Sequence, residues 1–233
     1  MPIRAILFDK DGTLVDFQRT WGPATHLVLQ ALSGGDAAAY ARLAAASLFL
    51  PAEQRFLPES PVVIEKTEVF AALWAEALGR PADAAFVAEI DRLYLDATLA
   101  HLAPIGDPRD VLARLAARGY RLGLMTNDAD ANARTQLARL GLDGLVGFLA
   151  AYDSGFGAKP EAAPVLAFAA AAGVAPAEVA VVGDTLHDLH AARAAGAVAV
   201  AVLTGPVPAH RLAPHADAVI PSIAALEAWL DGR

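Results

Sequence analysis

Two carboxylates and a glycine directly follow the first apolar run of the chain. The run Ile3–Phe8 is followed directly by Asp9, and Asp11 and Gly12 come after one intervening residue, Lys10. A short apolar run of this kind predicts a strand that is buried on both faces. Open α/β sheets bind ligands at the carboxyl ends of their strands, and a glycine there lets the backbone turn sharply toward a bound group. The stretch therefore predicts carboxylate chemistry at the end of a buried strand.

Other predicted strands also end in polar residues. Thr126 and Asn127 end one strand, and Asp184 ends another, with Asp188 four residues later. Lys159 lies just before a predicted helix. Each residue alone has an ordinary explanation, since an aspartate at a strand end often caps a helix and Thr-Asn pairs are common in turns. Their coincidence at the ends of one predicted sheet favours a functional site.

The charges of these side chains indicate which chemistry they would perform. Asp9, Asp184 and Asp188 would bring together about three negative charges, and each repulsive pair costs ~4 kcal/mol at ~4 Å and an effective dielectric constant near 20. Such a cluster must bind cations or take up protons. A hard divalent cation with oxygen ligands, Mg²⁺ by preference, and Lys159 would compensate it. A site neutralised in this way suits a phosphate ester, with one carboxylate as nucleophile and a second as acid and base.

Composition excludes several other classes of function. The 233 residues are 56% hydrophobic and 19% charged, which predicts a large core and little disorder. The net charge of −8 argues against nucleic acid or an anionic membrane as the main partner. Without cysteine there is no disulfide or thiolate chemistry. No secretory signal or membrane span is evident, so we expect a cytoplasmic monomer or homodimer that acts on a small metabolite.

The elements that must position these residues fall into two groups. The segment 17–102 contains helical patterns and almost no strand signal, whereas 1–16 and 103–233 show strands that alternate with helices. The alternation predicts an α/β fold with a Rossmann-like, doubly wound parallel sheet, interrupted by an all-helical domain. Predicted helices of the insertion are Pro23–Leu32, Asp36–Leu48, Val62–Leu78 and Ala82–Leu99, with a loop over Leu50–Pro61. Predicted strands after it are Arg121–Thr126, Phe148–Tyr152, Val179–Val182, Val198–Leu203 and Ala218–Ile220.

Four short motifs resemble those of the haloacid dehalogenase-like hydrolase superfamily. They are DKDGT at Asp9–Thr13, LMTN at Leu124–Asn127, KP at Lys159-Pro160 and VGDTLHD at Val182–Asp188, in the order that the family has them. The helical insertion resembles the family's cap domain. The tracts LAPIGDPRDVLARLAARGYRLGLMTND and VVGDTLHDLHAARAAGA resemble the phosphoglycolate phosphatase-like branch.

The resemblance implies a role for each motif residue. Asp9 would be the nucleophile and a Mg²⁺ ligand, and Asp11 would be the general acid and base, with its backbone carbonyl on the metal. Lys159 would neutralise the nucleophile and the phosphate. Dehalogenases of the family lack a carboxylate at the position of Asp11, so a phosphatase is favoured. Lys10 stands where this branch often has an apolar residue; strand alternation predicts that it points away from Asp9 and has little effect on the chemistry.

The remaining motif residues would hold phosphate and metal. Thr126 and the backbone of Asn127 would bind phosphoryl oxygens. Asp184 would bind Mg²⁺, and Asp188 would support the metal directly or through water. The resemblance thus implies a Mg²⁺-dependent phosphatase for a small phosphate monoester such as phosphoglycolate. A sugar phosphomutase shares both aspartates of the first motif and stays an alternative, as does a catalytically silent binding protein, which has no reason to keep the charged cluster.

Overall fold

A computed structural model of the protein describes residues 2–232 and contains a six-stranded parallel sheet. The strands are β1 (Ala5–Phe8), β2 (Phe49–Leu50), β3 (Arg55–Phe56), β4 (Arg121–Met125), β5 (Phe148–Ala150), β6 (Val179–Gly183), β7 (Val198–Val202) and β8 (Ala218–Ile220). The helices are α1 (Phe17–Ser33), α2 (Ala37–Ala46), α3 (Pro61–Ile64), α4 (Thr67–Leu78), α5 (Ala84–Ala100), α6 (Pro108–Ala117), α7 (Asp130–Arg139), α8 (Ala163–Ala172), α9 (Leu186–Ala195), α10 (Ala209–Leu212) and α11 (Leu226–Asp231).

The chain divides into two compact units. One comprises the residues up to Asp16 and from Pro104 onward, and the other is Phe17–Ala103. The sheet belongs to the first unit and has the strand order β5-β4-β1-β6-β7-β8, with every neighbouring pair parallel. The predicted doubly wound α/β fold is thereby confirmed. No helix in the part of the chain from 2 to 232 is long and apolar enough to cross a membrane.

The register of the central strands brings their carboxyl ends to the same level. Phe8 of β1 is paired with Leu124 of β4 on one side and with Val182 of β6 on the other. Every residue of β1 and of β6 is buried, as the continuous apolar runs predict. Helices α8 and α9 pack against these strands through side chains such as Phe168 and Leu189. The residues that directly follow β1, β4 and β6 therefore lie at one edge of a rigid, buried sheet.

The second unit is helical and is organised around aromatic side chains. Trp74 and Tyr94 are almost fully buried, and Phe70 packs against both rings. The polar atoms of these rings have partners inside the unit: the Trp74 indole N–H donates to Ser47 Oγ at 2.8 Å, and the Tyr94 hydroxyl lies 2.8 Å from Thr25 Oγ1. These bonds satisfy polar atoms that would otherwise be costly to bury.

Helix α1 begins earlier than the sequence predicts, at Phe17 rather than at Pro23. A proline inside a helix removes a backbone hydrogen bond and costs about 3 kcal/mol. The additional turns bury Phe17 and Trp21, and burial of each large apolar side chain contributes about 1.5–3 kcal/mol. Tertiary packing therefore offsets the unfavourable position of the proline.

Two further predictions in the helical unit are wrong in part. The single helix predicted over Val62–Leu78 is two helices, α3 and α4, separated at Glu65, whose backbone is extended (φ −106°, ψ 163°). The β-branched run Val62–Ile64 has a low helix propensity, which accounts for the short first helix. The predicted loop Leu50–Pro61 contains part of an antiparallel hairpin formed by β2 and β3.

Candidate active site

Lys159 lies at the centre of the predicted site and joins residues from two strand ends. Its ammonium nitrogen is 2.5 Å from Asp9 Oδ1 and 2.7 Å from Asp188 Oδ1. Asp9 directly follows β1, and Asp188 lies in the first turn of α9, which follows β6. Burial alone would lower the pKa of Lys159, but the carboxylates of Asp188 and Asp9 more than compensate and raise it. The ammonium group therefore remains charged.

Asp9, Asp184 and Asp188 form a buried acidic cluster, as their positions at strand ends predict. Each offers one carboxylate oxygen, and these oxygens all lie within 4.8 Å of one another. Burial raises the pKa of Asp9 to about 6, with the Lys159 charge acting in the opposite direction. Burial and the charges of Asp9 and Asp188 raise the pKa of Asp184 well above its usual range. The cluster is thus electrostatically strained and favours a bound cation.

The donor set of this cluster fits a hard divalent cation. All of its ligand atoms are carboxylate oxygens, the type that Mg²⁺ prefers. Within the described residues, Asp9 Oδ2 is the one buried side-chain nitrogen or oxygen that lacks a hydrogen-bond partner. Native proteins rarely leave such an atom unsatisfied without a functional reason. An unsatisfied carboxylate oxygen is what a metal ligand or a nucleophile requires.

Two glycines provide the space that Asp184 occupies. A Cβ atom at Gly12, whose φ is +87°, would lie 2.2 Å from Asp184 Oδ2, and one at Gly205 would lie 1.7 Å from the same atom. The Thr204 hydroxyl donates to the Gly12 carbonyl at 2.5 Å, which ties the two loops together. Gly12 is assigned to the site from the sequence as a point where the backbone turns sharply, whereas Thr204 and Gly205 are not assigned to the site in that way. The signal that could have identified them is their position just after Val202, the last residue of β7, at the same sheet edge.

Asn127 fixes the backbone of the loop that carries Lys159. Its Nδ2 donates to the Lys159 carbonyl at 3.2 Å, and its Oδ1 accepts from the Lys159 N–H at 3.0 Å. Thr126, the residue before it, is buried, and its Oγ1 accepts from the Asp128 N–H at 3.1 Å. The Asn127 side chain thus holds the lysine in place, in addition to the phosphate contacts predicted for Thr126 and the Asn127 backbone.

We expect Asn127→Ala to lower kcat about 10- to 100-fold, since displacement of a catalytic group by about 1 Å can have an effect of this size. The substitution removes both hydrogen bonds to Lys159. Steady-state kinetics would measure the loss. The matched control is Thr135→Ala, which removes an exposed side-chain bond to the Ala131 carbonyl and should leave kcat unchanged. An unaltered kcat in Asn127→Ala would contradict the inference that Asn127 holds Lys159 in position.

Asp188 is held from both sides. Its Oδ2 accepts from the N–H of Thr185 at 3.0 Å and from the Thr185 hydroxyl at 2.7 Å, while its Oδ1 accepts from Lys159. The bond from the Thr185 N–H belongs to the capping box at the start of α9, and the bond from the Thr185 hydroxyl adds a second donor to the same oxygen. Asp188 is therefore an anchor for Lys159 in addition to its place in the acidic cluster.

Lys10 is buried against the second carboxylate of the first motif. Its ammonium is 2.7 Å from Asp11 Oδ2 and 2.9 Å from Asp128 Oδ2, and it donates to Gln136 Oε1 at 2.7 Å. Burial lowers the pKa of Lys10, but the two carboxylates outweigh this effect and raise it. The sequence pattern predicts that Lys10 has little effect on the chemistry, and it does not predict this contact with Asp11. Sequence reasoning also missed the polar residues at helical spacing that complete the network, which are Asp128, Asn132 and Gln136.

The chain is similar to known proteins over most of its length. A model of the haloacid dehalogenase-like hydrolase family matches residues 3–196. The phosphoglycolate phosphatase of Rhodospirillum rubrum is 32% identical over 237 residues, which cover 97% of this chain and 90% of that protein.

Solved structures show the same fold. CbbY from Rhodobacter sphaeroides, in complex with phosphate, superposes with a TM-score of 0.76 at 22% identity, covering 98% of this chain and 99% of that chain. A predicted phosphoglycolate phosphatase from Haemophilus somnus gives a TM-score of 0.73 at 21% identity and covers 97% of both chains.

Proposed function

Because the chain belongs to the haloacid dehalogenase-like hydrolases, on their phosphoglycolate phosphatase-like branch, we propose that it is a Mg²⁺-dependent phosphatase for a small phosphate monoester. Phosphoglycolate is the first candidate, since the Rhodospirillum rubrum relative, which covers 97% of this chain, bears that activity in its name. The observation that carries the proposal is the unsatisfied oxygen of Asp9, beside a charged lysine and within an acidic cluster.

The reaction would proceed through an aspartyl-phosphate. An oxygen of Asp9 forms a bond to phosphorus while the ester O–P bond breaks, and the leaving alkoxide takes its proton from Asp11. A water molecule then attacks the phosphorus of the phosphorylated Asp9 and gives its proton to Asp11. The Asp9 O–P bond breaks, inorganic phosphate leaves and both carboxyl groups return to their starting states.

The other residues of the site would bind and neutralise charge. Thr126 and the backbone of Asn127 would hold phosphoryl oxygens, and Lys159 would balance the charge of the phosphate and of the nucleophile. Mg²⁺ would be held by Asp9, Asp184, Asp188 and the backbone carbonyl of Asp11. When bound, the metal would neutralise the acidic cluster and stabilise negative charge on the transferring phosphoryl group.

The helical unit Phe17–Ala103 would serve as a cap domain that selects the substrate. All of the residues assigned to the chemistry lie in the first unit, which leaves substrate selection as the proposed role of the helical unit. We infer a cytoplasmic enzyme, monomeric or homodimeric, whose partner is a small phosphorylated metabolite rather than nucleic acid or a membrane.

Phosphate release tests the proposed function. The purified protein would be assayed with p-nitrophenyl phosphate, 2-phosphoglycolate and a panel of sugar phosphates, with Mg²⁺ and with EDTA. We expect release that falls at least about 100-fold in EDTA, because a metal contributes several kcal/mol to such reactions. Transfer of phosphate between sugar positions without release would favour the phosphomutase. A folded protein that binds esters without any turnover would favour the silent binding protein.

A further inference from the structure

The proposed function does not explain the buried network around Lys10. The side chain of Lys10 is only 1% exposed, although lysine is rarely buried. An ammonium group has three N–H donors, and three acceptors lie within 2.9 Å of it, on Asp11, Asp128 and Gln136. Each donor can therefore have a partner, and the position of the nitrogen is determined from three directions.

The rest of the network comes from α7 and the residues just before it. Asn132 Nδ2 donates to both carboxylate oxygens of Asp128, at 3.1 and 2.9 Å, and Gln136 Nε2 donates to Asn132 Oδ1 at 3.1 Å. The N–H of Ala129 donates to Asp128 Oδ1 at 2.8 Å. The bonds form a closed ring from Lys10 through Asp128, Asn132 and Gln136 back to Lys10.

A polar ring at this place is unusual for a helix of an α/β fold. The inward face of such a helix normally buries apolar side chains, but Asn132 and Gln136 are 2% and 0% exposed. Buried amides and charges are tolerated only when their hydrogen bonds are made, and a fully bonded network is rigid. Asp11 is the member of this network that belongs to the predicted site, and its side chain is 14% exposed. Because Lys10 belongs to the ring and also contacts Asp11, the ring restrains the Asp11 carboxylate as well.

We propose that Lys10 is a positioning residue that holds the Asp11 carboxylate in one orientation for proton transfer. The proposal rests on the proposed function, because it requires Asp11 to act as general acid and base. By anchoring Oδ2, the ammonium determines the direction in which the other carboxylate oxygen faces. Asp128 and Gln136 also bind the ammonium, at 2.9 and 2.7 Å, so the lysine is restrained independently of Asp11.

A comparison of two esters with different leaving groups distinguishes a positioning role of Lys10 from a purely structural one. An alkyl phosphate such as 2-phosphoglycolate needs a proton on its leaving oxygen, whereas p-nitrophenolate departs without one. In Lys10→Met, kcat/KM for 2-phosphoglycolate should fall about 10- to 100-fold, and kcat/KM for p-nitrophenyl phosphate should fall less than about threefold. This parameter reports the steps up to departure of the alcohol. A displaced Asp9 or a damaged metal site would lower both values equally.

A double-mutant cycle tests whether Lys10 acts through Asp11. Adding Lys10→Met to Asp11→Asn should change kcat/KM for 2-phosphoglycolate by less than about twofold, since no carboxylate remains to be oriented. Arg134→Met is the matched control. It removes a cation from an exposed ion pair with Asp130, both in α7, and should leave kcat/KM unchanged for both esters. Additive losses in the cycle would overturn the positioning role, as would equal losses on both esters in Lys10→Met.

A second variant covers the risk that Lys10→Met does not fold, because it leaves Asp128 buried without its cation. Lys10→Met combined with Asp128→Asn removes one charge of each sign. It should fold and show the same loss for 2-phosphoglycolate relative to Asp128→Asn alone. If this double variant fails to fold, the lysine is a structural requirement and the positioning role is overturned. If the wild-type protein with Mg²⁺ hydrolyses neither ester, the proposed function fails, and the role of Lys10 fails with it.

Discussion

Asp9→Asn should abolish phosphate release while the protein remains folded. The amide is nearly isosteric with the carboxylate but cannot form the acyl phosphate, so turnover should fall by about 10⁴-fold or more. Stability should not decrease, because burial raises the pKa of Asp9 to about 6, which means that its negative charge is unfavourable in the folded protein. Phosphate release with Mg²⁺ and thermal unfolding in EDTA would measure the two effects separately.

The covalent intermediate can be identified directly in the same experiment. Acid quenching during turnover, followed by borohydride reduction, should convert phosphorylated Asp9 into homoserine, which mass spectrometry would locate in the N-terminal peptide. Asp143→Asn is the matched control, since Asp143 is an exposed aspartate of the same unit and should leave both rate and intermediate unchanged. Turnover above about a tenth of the wild-type rate in Asp9→Asn would exclude this residue as the nucleophile.

Local signals in the sequence predict the elements of the sheet and the position of the site. The apolar run Val179–Val182 predicts a strand that the structure extends by a single residue, to Gly183. Asp107 and Pro108 predict a helix start, and the Asp107 side chain accepts from the Asp110 N–H there. Such features depend on residues that are close in sequence. The common edge of the strands then follows from parallel pairing alone, which is why the acidic cluster could be predicted without coordinates.

Features that depend on distant residues could not be predicted in this way. Gln136, which holds Lys10, lies 126 residues further along the chain, and strand alternation describes only the direction in which Lys10 leaves β1. Alternation therefore predicted a side chain away from Asp9 but not its contact with Asp11. The same limit applies to Gly205, whose importance depends on the close approach of Asp184. In each case the decisive quantity is a tertiary distance, which local periodicity does not contain.

Pro81 illustrates a different source of error, in which two local signals compete. A proline favours the first position of a helix, which places the predicted start of the last helix of the helical unit near Ala82. The helix begins instead at Ala84, because the Asp83 side chain accepts from the Phe86 N–H and forms the N-cap. A capping side chain satisfies an otherwise unpaired backbone donor and contributes about 1 kcal/mol. Proline at the first helical position makes no such bond and only lacks an N–H that would be unpaired there.

Asp184→Asn should have opposite effects on activity and on the stability of the metal-free protein. Asp184 is 1% exposed and shares the acidic cluster with Asp9 and Asp188. Loss of one charged ligand should lower Mg²⁺-dependent turnover by about 10²- to 10⁴-fold and weaken the stabilisation that Mg²⁺ confers on the folded state. In EDTA, however, the variant should be more stable than the wild type, because the substitution removes a buried negative charge that two neighbouring carboxylates repel.

The sign of this second effect follows from the pKa of Asp184, which burial and then its acidic neighbours raise well above the usual range. A carboxyl group with a raised pKa in the folded state destabilises the protein at pH values above its unfolded pKa. The midpoint of thermal unfolding of Asp184→Asn in EDTA should therefore rise by a few degrees at pH 7, since about 1 kcal/mol corresponds to roughly 2–4 °C in a chain of this size. The gain should shrink toward about pH 4, where an unfolded aspartate takes up its proton. Asp143→Asn should show neither change, and a variant that is less stable in EDTA at neutral pH would show that Asp184 is not repelled in the folded state.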